Sequence, residues 1–439
     1  MLRAIFVFLI LAVGGVFALQ GPFYTMLLYV WNAYFRPEAW VYGDFVRNFQ
    51  LSYYIAAVLM VQMLLHTQKL KFSGRWAVVC LFLFHGFLTA VFGEYPDTNL
   101  KWFQQFQQIM VIAYVMYCLV EDLKQFRILL LVVLFSLGFE SVKQGWATLV
   151  LNPGGLNSNS IPFLGDNNMV AVGLLMLVPV AVAFAQLYAS STRKSWFFRF
   201  IAVGTIYRAL STYSRGGFLM FATLCATYWV RTKQKLAILV GLILIGIMIL
   251  FVLPSEFWER METIANYEES AAGRLHIWKV ALAMARENPF FGVGFQGYES
   301  SYNDYDFSLG EYSESRAVHS TWFGLIGDLG YPGLMLFVFI YIQSLRGCRR
   351  VQVHAAKYPD SKEWNELRLY AVALESALWA FVVGGTFLNM HYNEMVWHFL
   401  IFAMILERLG RNQLVAMEAA PPGKPKQHPR KPALASVGG

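Results

Sequence analysis

The chain has 439 residues, of which 57% are hydrophobic and only 14% are charged. Soluble domains carry roughly 25% charged residues, so this composition excludes an ordinary soluble protein and indicates one dissolved in lipid. The formal net charge of +8 does not call for nucleic acid as a partner. Most positive residues lie in short loops between apolar segments, where the positive-inside rule places them.

Apolar segments of helix-spanning length recur along the whole chain. A membrane-spanning helix needs about 20 mostly apolar residues, because the bilayer core offers no water to backbone polar groups. We predict such segments at 4–19, 23–35, 51–66, 76–93, 105–120, 128–150, 169–189, 196–212, 217–230, 236–253, 319–345, 369–388 and 393–407. The predicted fold class is therefore an all-α polytopic membrane protein.

The loops between these segments alternate in charge. Loops 69–75 and 346–362 are rich in lysine and arginine, whereas loops 94–104, 151–168 and 255–318 are poor in them for their length. This alternation predicts that the basic loops are cytoplasmic and that the other loops face the opposite side.

This orientation bears on the first two apolar segments. If 4–19 and 23–35 each crossed the membrane, the N-terminus would lie on the outward side despite Arg3. We instead predict one broken crossing, interrupted at Gly21-Pro22, which gives about 12 transmembrane helices. Such breaks are tolerated where neighbouring groups satisfy the backbone.

The chain divides into four predicted parts. Membrane helices occupy 1–254 and 319–409, one large outward loop occupies 255–318, and a disordered tail rich in proline and lysine occupies 410–439. The loop holds eleven acidic and five basic residues. Its apolar positions have helical spacing over 274–286, which predicts an amphipathic helix within the loop.

Three polar clusters are predicted at the outward ends of the apolar segments. The first is Ser211-Thr-Tyr-Ser-Arg215-Gly-Gly217, where two glycines permit a sharp bend or the close approach of a ligand. Arg215 there either binds an anion or merely anchors the turn by snorkelling. Nearby Arg208 lies inside an apolar run, where a charge is costly and is usually functional or paired.

The second cluster, Gly273-Arg274-Leu-His-Ile-Trp278, opens the loop helix. Helix N-termini favour anions, and two arginines facing each other would clamp phosphate oxygens. The alternative for Arg274 is a structural ion pair with Glu268 or Glu269.

The third cluster is Arg316-Ala-Val-His319-Ser-Thr-Trp322. A neutral imidazole at the mouth of a span can take a proton from an attacking hydroxyl, although a histidine at an interface is more often only hydrogen-bonded. No metal-ligand spacing stands out in the sequence, so we expect neither a metal nor a cofactor.

In their order and spacing, these clusters resemble the O-antigen ligase and polymerase superfamily of bacterial inner-membrane glycosyltransferases, most strongly over 160–345. The matching motifs are Asp166-Asn-Asn168, Ser214-Arg-Gly-Gly217, Arg274 with Trp278, Asn288-Pro-Phe-Phe-Gly-Val-Gly294, His319-Ser320 and Gly330-Tyr-Pro-Gly333. The N-terminal half, with Arg36-Pro37, resembles a subgroup of O-glycosylation ligases from exosortase-linked loci. The sequence departs from the family at Ser320, where many ligases carry Asn, and at Asp328, where Glu is frequent.

The resemblance implies a GT-C-like, metal-independent glycosyltransferase of the bacterial inner membrane with its active site facing the periplasm. The donor would be a glycan on undecaprenyl pyrophosphate, and the acceptor a hydroxyl of lipid A core or of a protein Ser or Thr. Arg215 and Arg274 would hold the pyrophosphate, and His319 would orient or deprotonate the acceptor. Further substrate contacts are expected from Arg208, Trp278, Arg316 and Trp322, the two tryptophans by stacking on sugar rings.

Two other functions stay open at this point. A polymerase that joins lipid-linked repeat units would use the same residues. A transporter or flippase of the lipid-linked glycan belongs to a different class, and transporters commonly show paired halves with broken helices near the midplane. Here the polar residues gather at one face beside one loop, which disfavours transport.

Overall fold

A computed structural model describes residues 2–41, 50–66, 70–231, 235–236, 240, 268–308, 311–312 and 316–419. Of the predicted features, the apolar segment 236–253 lies almost wholly outside the described residues. The first part of the predicted large loop, 255–267, lies outside them as well.

The described chain is built from α-helices. They are α1 (Leu2–Ala18), α2 (Pro22–Phe35), α3 (Leu51–Leu65), α4 (Gly74–Phe92), α5 (Pro96–Leu119), α6 (Leu123–Leu151), α7 (Asn167–Leu187), α8 (Thr192–Leu210), α9 (Arg215–Arg231), α10 (Glu268–Glu287), α11 (Tyr298–Tyr305), α12 (Thr321–Ala355), α13 (Lys362–Gly384) and α14 (Glu394–Glu418). Every predicted apolar segment except 236–253 coincides with one of these helices.

Five of the described helices, namely α4, α6, α7, α12 and α13, are long and apolar enough to cross a membrane, and α1 and α3 are shorter apolar helices. Together with the helical content, this confirms an all-α polytopic membrane protein. The number of crossings, about 12, stays a prediction.

Several helices begin at a residue whose side chain caps the first turn. Asp166 Oδ1 accepts hydrogen bonds from the backbone N–H groups of Asn168 and Met169, at 2.8 and 2.9 Å, and so starts α7 as a cap. Asp122 starts α6 in the same way, through a 2.7 Å bond from Gln125 N. These caps supply partners for N–H groups that lie at the open end of a helix.

The helices α1 and α2 form an antiparallel hairpin. The rings of Phe6 and Phe35 lie 6.4 Å apart, and those of Phe17 and Tyr24 lie 5.9 Å apart, so the start of α1 is beside the end of α2. Gly21, with φ 140°, allows the reversal, and the proline after it opens a new helix instead of kinking the first. The predicted single broken crossing is therefore wrong.

Arginine–glutamate pairs join the two halves of the chain at the basic end of the bundle. Arg127 of α6 donates to Glu366 of α13 at 2.6 Å, and Arg231 of α9 donates to Glu375 of α13 at 2.8 Å. Arg75 of α4 pairs with Glu407 of α14. The side chains of these glutamates are at most 10% exposed, and a buried carboxylate needs such a partner.

At the opposite end, a break in α12 is filled by the loop that follows α10. Gly330 has φ 65° and interrupts the helix, which frees the backbone groups around it. Val293 N donates to Gly327 O at 2.9 Å, and Gly294 N donates to Asp328 O at 3.1 Å. The motifs at 288–294 and 330–333, which are separate in the sequence, thus meet in one contact.

The predicted large loop is folded where it is described. The helix predicted over 274–286 lies within α10, and α10 packs with α11 through apolar side chains such as Ile277, Met284 and Tyr302. The predicted disordered tail needs correction, because α14 continues to Glu418 and includes the first residues of that segment.

The Arg127–Glu366 pair yields a prediction about stability. We expect Arg127→Met to lower the free energy of unfolding by about 3 kcal/mol, because the Glu366 carboxylate would keep its buried charge without its partner. Thermal unfolding in detergent micelles measures this loss. The matched control is Arg193→Met, an exposed arginine at the start of α8, which should change the stability by less than about 0.5 kcal/mol. Equal stabilities of the two variants would contradict the importance of the pair.

Candidate functional site

The N-terminal ends of α7, α9 and α12 meet around the short turn at 384–388. A side-chain carbon added at Gly216, in the first turn of α9, would lie 3.4 Å from Phe387 Cβ, and one at Gly384 would lie 3.1 Å from Val172 of α7. Thr321 Oγ1, at the start of α12, donates to Leu388 O at 2.7 Å. Small residues at these positions therefore let the three helix ends approach one another.

Helix N-termini carry a positive partial charge and present backbone N–H groups that no helix carbonyl uses. Several such ends pointing at one region favour an anionic ligand there. We call this end of the bundle the site face.

His319 lies on the site face, two residues before α12 begins. Its side chain is exposed, and Ser320 behind it is buried and caps α12 by accepting from Phe323 N at 3.4 Å. The backbone of His319 has φ 45°, a left-handed conformation that is uncommon outside glycine. A strained residue held in place by its surroundings is typical of functional positions.

The surroundings of His319 lower its pKa below the ordinary value of 6.5. Partial desolvation by the protein is the largest cause, and repulsion from Arg274 comes next, with a smaller contribution of the same sign from Arg316. Asp166 and Glu299 act in the opposite direction and raise the pKa. The imidazole is therefore neutral at neutral pH, which is the form that accepts a proton.

The structure brings Arg274 and Arg316 together beside His319. Both charges act on the imidazole, and a side-chain carbon added at Gly273 would lie 3.3 Å from Arg316 Nη1. Two predicted residues from different parts of the loop thus gather at one place. The predicted alternative, a pair of Arg274 with Glu268 or Glu269, falls on side chains outside the described residues.

Arg215 is the first residue of α9 and has an exposed side chain. The residue after it packs against the 384–388 turn, and the same turn holds the start of α12 through Thr321. Arg215 and His319 are accordingly carried by helix ends that touch one common element.

The prediction that Arg208 contacts substrate is corrected. Its side chain is fully buried and donates to Gln144 Oε1 at 2.8 Å, to Asn157 O at 3.2 Å and to Asn159 O. Because α8 ends at Leu210, Arg208 also lies on a different helix from Arg215. The guanidinium holds the loop between α6 and α7 instead of facing the site.

Trp322 is half-buried at the start of α12. Its indole N–H donates to Val382 O at 3.3 Å and to Thr386 Oγ1 at 3.2 Å, and its ring packs against Phe337 and Tyr341. These contacts pack Trp322 between α12 and α13, and its predicted contact with substrate stays a prediction.

Trp278 lies closer to the site but is half-buried. Its ring stacks on Phe323 of α12, with centroids 4.9 Å apart and an angle of 11° between the planes. One face of the ring is therefore already covered, which leaves at most the other face for a ligand.

The sequence interpretation missed two acidic neighbours of His319. The sequence presents Asp166 only as the first residue of the Asp166-Asn-Asn168 motif, yet its carboxylate also acts on the imidazole. Glu299 carried no signal, because its position depends on how α11 packs against α12. In the part of the chain that is described, no three His, Cys, Asp or Glu side chains gather to hold a metal ion.

Asp328, in the first turns of α12, accepts two buried hydrogen bonds. Asp328 accepts from Tyr298 N at 2.9 Å and from His391 Nε2 at 3.0 Å, and all three side chains are buried. These two hydrogen bonds tie Asp328 to the start of α11 and to the turn before α14.

An apolar groove of about 780 Å³ runs between the α1–α2 hairpin, α6 and α8. On α6 it extends from Ile128 to Val142, about 20 Å along the helix axis. Its lining includes Phe6, Phe17, Leu27, Phe135, Phe139 and Phe200. The groove ends just beside Glu140 and Gln144, at the level of the polar network around Arg208.

Two family models match the chain. Residues 200–338 match the model described as O-antigen ligase, and residues 1–196 match a family of unknown function, DUF5935. No curated protein matches the sequence. The first match contains Arg215, Arg274 and His319, so the clustered residues belong to the matched region. It supports an enzyme with a ligase or polymerase type of function, and this region is similar to the O-antigen ligase superfamily, as its motifs predicted.

Proposed function

We propose that the chain is a metal-independent glycosyltransferase of the ligase type. It would move a glycan from undecaprenyl pyrophosphate to a hydroxyl acceptor, lipid A core or a protein Ser or Thr, at the periplasmic face of the bacterial inner membrane. The observation that carries this proposal is a neutral, exposed His319 beside Arg274 and Arg316, at an end of the bundle where helix N-termini meet.

The cationic part of the site suits the leaving group. As the bond between the anomeric carbon and the phosphate oxygen breaks, its electron pair goes to the pyrophosphate. Arg274, Arg215 and the helix N-termini would stabilise that growing charge, because preorganised donors need not reorient during the reaction. A guanidinium is suited to this role, since its planar donors match phosphate oxygens.

His319 would act on the acceptor. Its imidazole takes the proton of the acceptor hydroxyl while the hydroxyl oxygen forms the new bond to the anomeric carbon, with inversion there. A proton on the imidazole then leaves readily to solvent, because Arg274 and partial desolvation keep its pKa low.

The apolar groove between the hairpin, α6 and α8 suits a polyisoprenyl chain in size and lining. Pockets of about 300–1,000 Å³ commonly hold small ligands, and apolar walls favour hydrocarbon. Under the proposal, the carrier's chain lies in the bundle while its pyrophosphate reaches the site face.

Reconstituted protein tests the function. Lipid-linked glycan is supplied with lipid A core in one reaction and with a protein rich in Ser and Thr in the other, without added metal. Transfer to either acceptor supports a ligase. Longer lipid-linked glycans without use of an acceptor would mean a polymerase, and no chemistry on a verified donor would overturn the enzyme proposal.

We predict that His319→Ala lowers transfer by about 10²–10⁴-fold, which is the usual contribution of a positioned proton acceptor. Binding of the donor should persist, since the arginines are intact. Transfer assays and binding of labelled donor measure the two effects. His66→Ala is the control, because His66 is an exposed histidine at the end of α3. Full activity of the His319 variant would remove the base from the proposal.

We also predict a pH dependence. Transfer should rise with pH as His319 loses its proton, with a midpoint below the ordinary pKa of 6.5. Arg274→Gln removes a positive charge that lowers this pKa, so the midpoint should move to higher pH even where the rate falls. Arg286→Gln, an exposed arginine at the other end of α10, is the matched control. A midpoint that stays the same in Arg274→Gln would contradict the role assigned to Arg274.

A further inference from the structure

The loop between α6 and α7, residues 152–166, is tied to the end of α8 at several points. Asn157 N donates to Ser211 O at 2.8 Å, and Gly154 N donates to the Tyr207 hydroxyl at 2.8 Å. Asn157 Nδ2 donates to Thr148 Oγ1 of α6 at 3.1 Å. The loop is therefore positioned by side chains and backbone groups that the sequence places on two neighbouring helices.

Arg208 is the centre of these contacts. Its Nε, Nη1 and Nη2 groups each reach a different acceptor, namely Gln144 Oε1, Asn157 O and Asn159 O. Burying a guanidinium in a membrane bundle costs free energy, and well-placed hydrogen bonds are needed to offset that cost. The Glu140 carboxylate, which pairs with Lys143 at 2.8 Å, also attracts the Arg208 charge, and Gln144 connects the two by donating to Glu140 at 2.9 Å.

The far end of the same loop reaches the site. Phe163 stacks on Tyr34 with ring centroids 4.4 Å apart, which fixes the loop just before Asp166. Asp166 caps α7, and the charge of its carboxylate acts on His319. The first turns of α7 also contact the 384–388 turn through Val172, and this turn holds the start of α12.

We propose that Arg208 is a positioning residue: by clamping the carbonyls of Asn157 and Asn159, it sets where the Asp166 carboxylate lies relative to His319. Its value for transfer rests on the proposed function, but the geometry itself can be tested without any transfer. The role requires arginine, because a lysine ammonium is a compact point charge that cannot span three separated acceptors in a plane.

The test is the titration of His319, followed by NMR of histidine-labelled full-length protein in nanodiscs, with the signal assigned by its absence in His319→Gln. The charged groups that face His319 are Arg274 of α10, Arg316 of its own loop, Glu299 of α11 and Asp166. Asp166→Asn keeps a helix-capping side chain but removes the charge that raises the His319 pKa. Its titration midpoint should therefore move to lower pH.

Arg208→Lys should move the midpoint in the same direction, because the loop would no longer hold the carboxylate in place. The double variant should titrate like Asp166→Asn alone, since both changes act through one carboxylate. Transfer by Arg208→Lys should fall about 10-fold or more, as small displacements of reacting groups are costly.

An unchanged midpoint in Arg208→Lys, beside a shifted one in Asp166→Asn, would overturn the proposal and leave Arg208 a purely structural residue. If Arg208→Lys does not fold, Gln144→Leu replaces it, because it removes the acceptor of Arg208 Nε and so releases the guanidinium that clamps the loop. Its midpoint should also fall, and an unchanged one would overturn the proposal equally. If the His319 midpoint shifts but the protein transfers no glycan, the positioning role of Arg208 is supported and the proposed function is overturned.

Discussion

The site depends on the hydrogen bonds between the break in α12 and the loop that follows α10. Backbone N–H and C=O groups that are buried need hydrogen-bond partners within the protein, because no water reaches them. At Gly330 the helix stops supplying them, and Val293 and Gly294 of the loop after α10 take over. The loop cannot move away without leaving those groups unpaired, so α10 is fixed against α12. Arg274 on one helix and His319 before the other are thereby held in one place.

This frame explains why cations and a neutral imidazole coexist on one face. Arg274 and Arg316 disfavour protonation of His319, and the helix N-termini add to the positive potential there. An anion bound by the arginines would offset their charge and strengthen the imidazole as a proton acceptor. Under the proposed function, binding of the anion and the proton affinity of His319 would be coupled by electrostatics, with no movement of the chain required.

The sequence was informative where local patterns decide the outcome. Apolar segment length located the helices, and the order of the motifs predicted that Arg274 and His319 share one site with Arg215; Arg274 does act on the His319 imidazole. It failed where distant packing decides. Whether Gly21 produces a kink or a hairpin depends on the contact of Phe6 with Phe35, which the residues next to Gly21 do not indicate.

Arg208 also shows how far the sequence alone can predict the role of a residue. A charge within an apolar run is rightly expected to have a specific partner, because its burial is costly. The cost alone does not reveal whether the partner is a ligand or the protein's own backbone. Here the partners include backbone carbonyls of the loop between α6 and α7, whose sequence is a polar stretch with no distinctive pattern. Under the proposal, this buried arginine would serve the reaction by fixing a loop, since the Asp166 carboxylate at the end of that loop acts on His319.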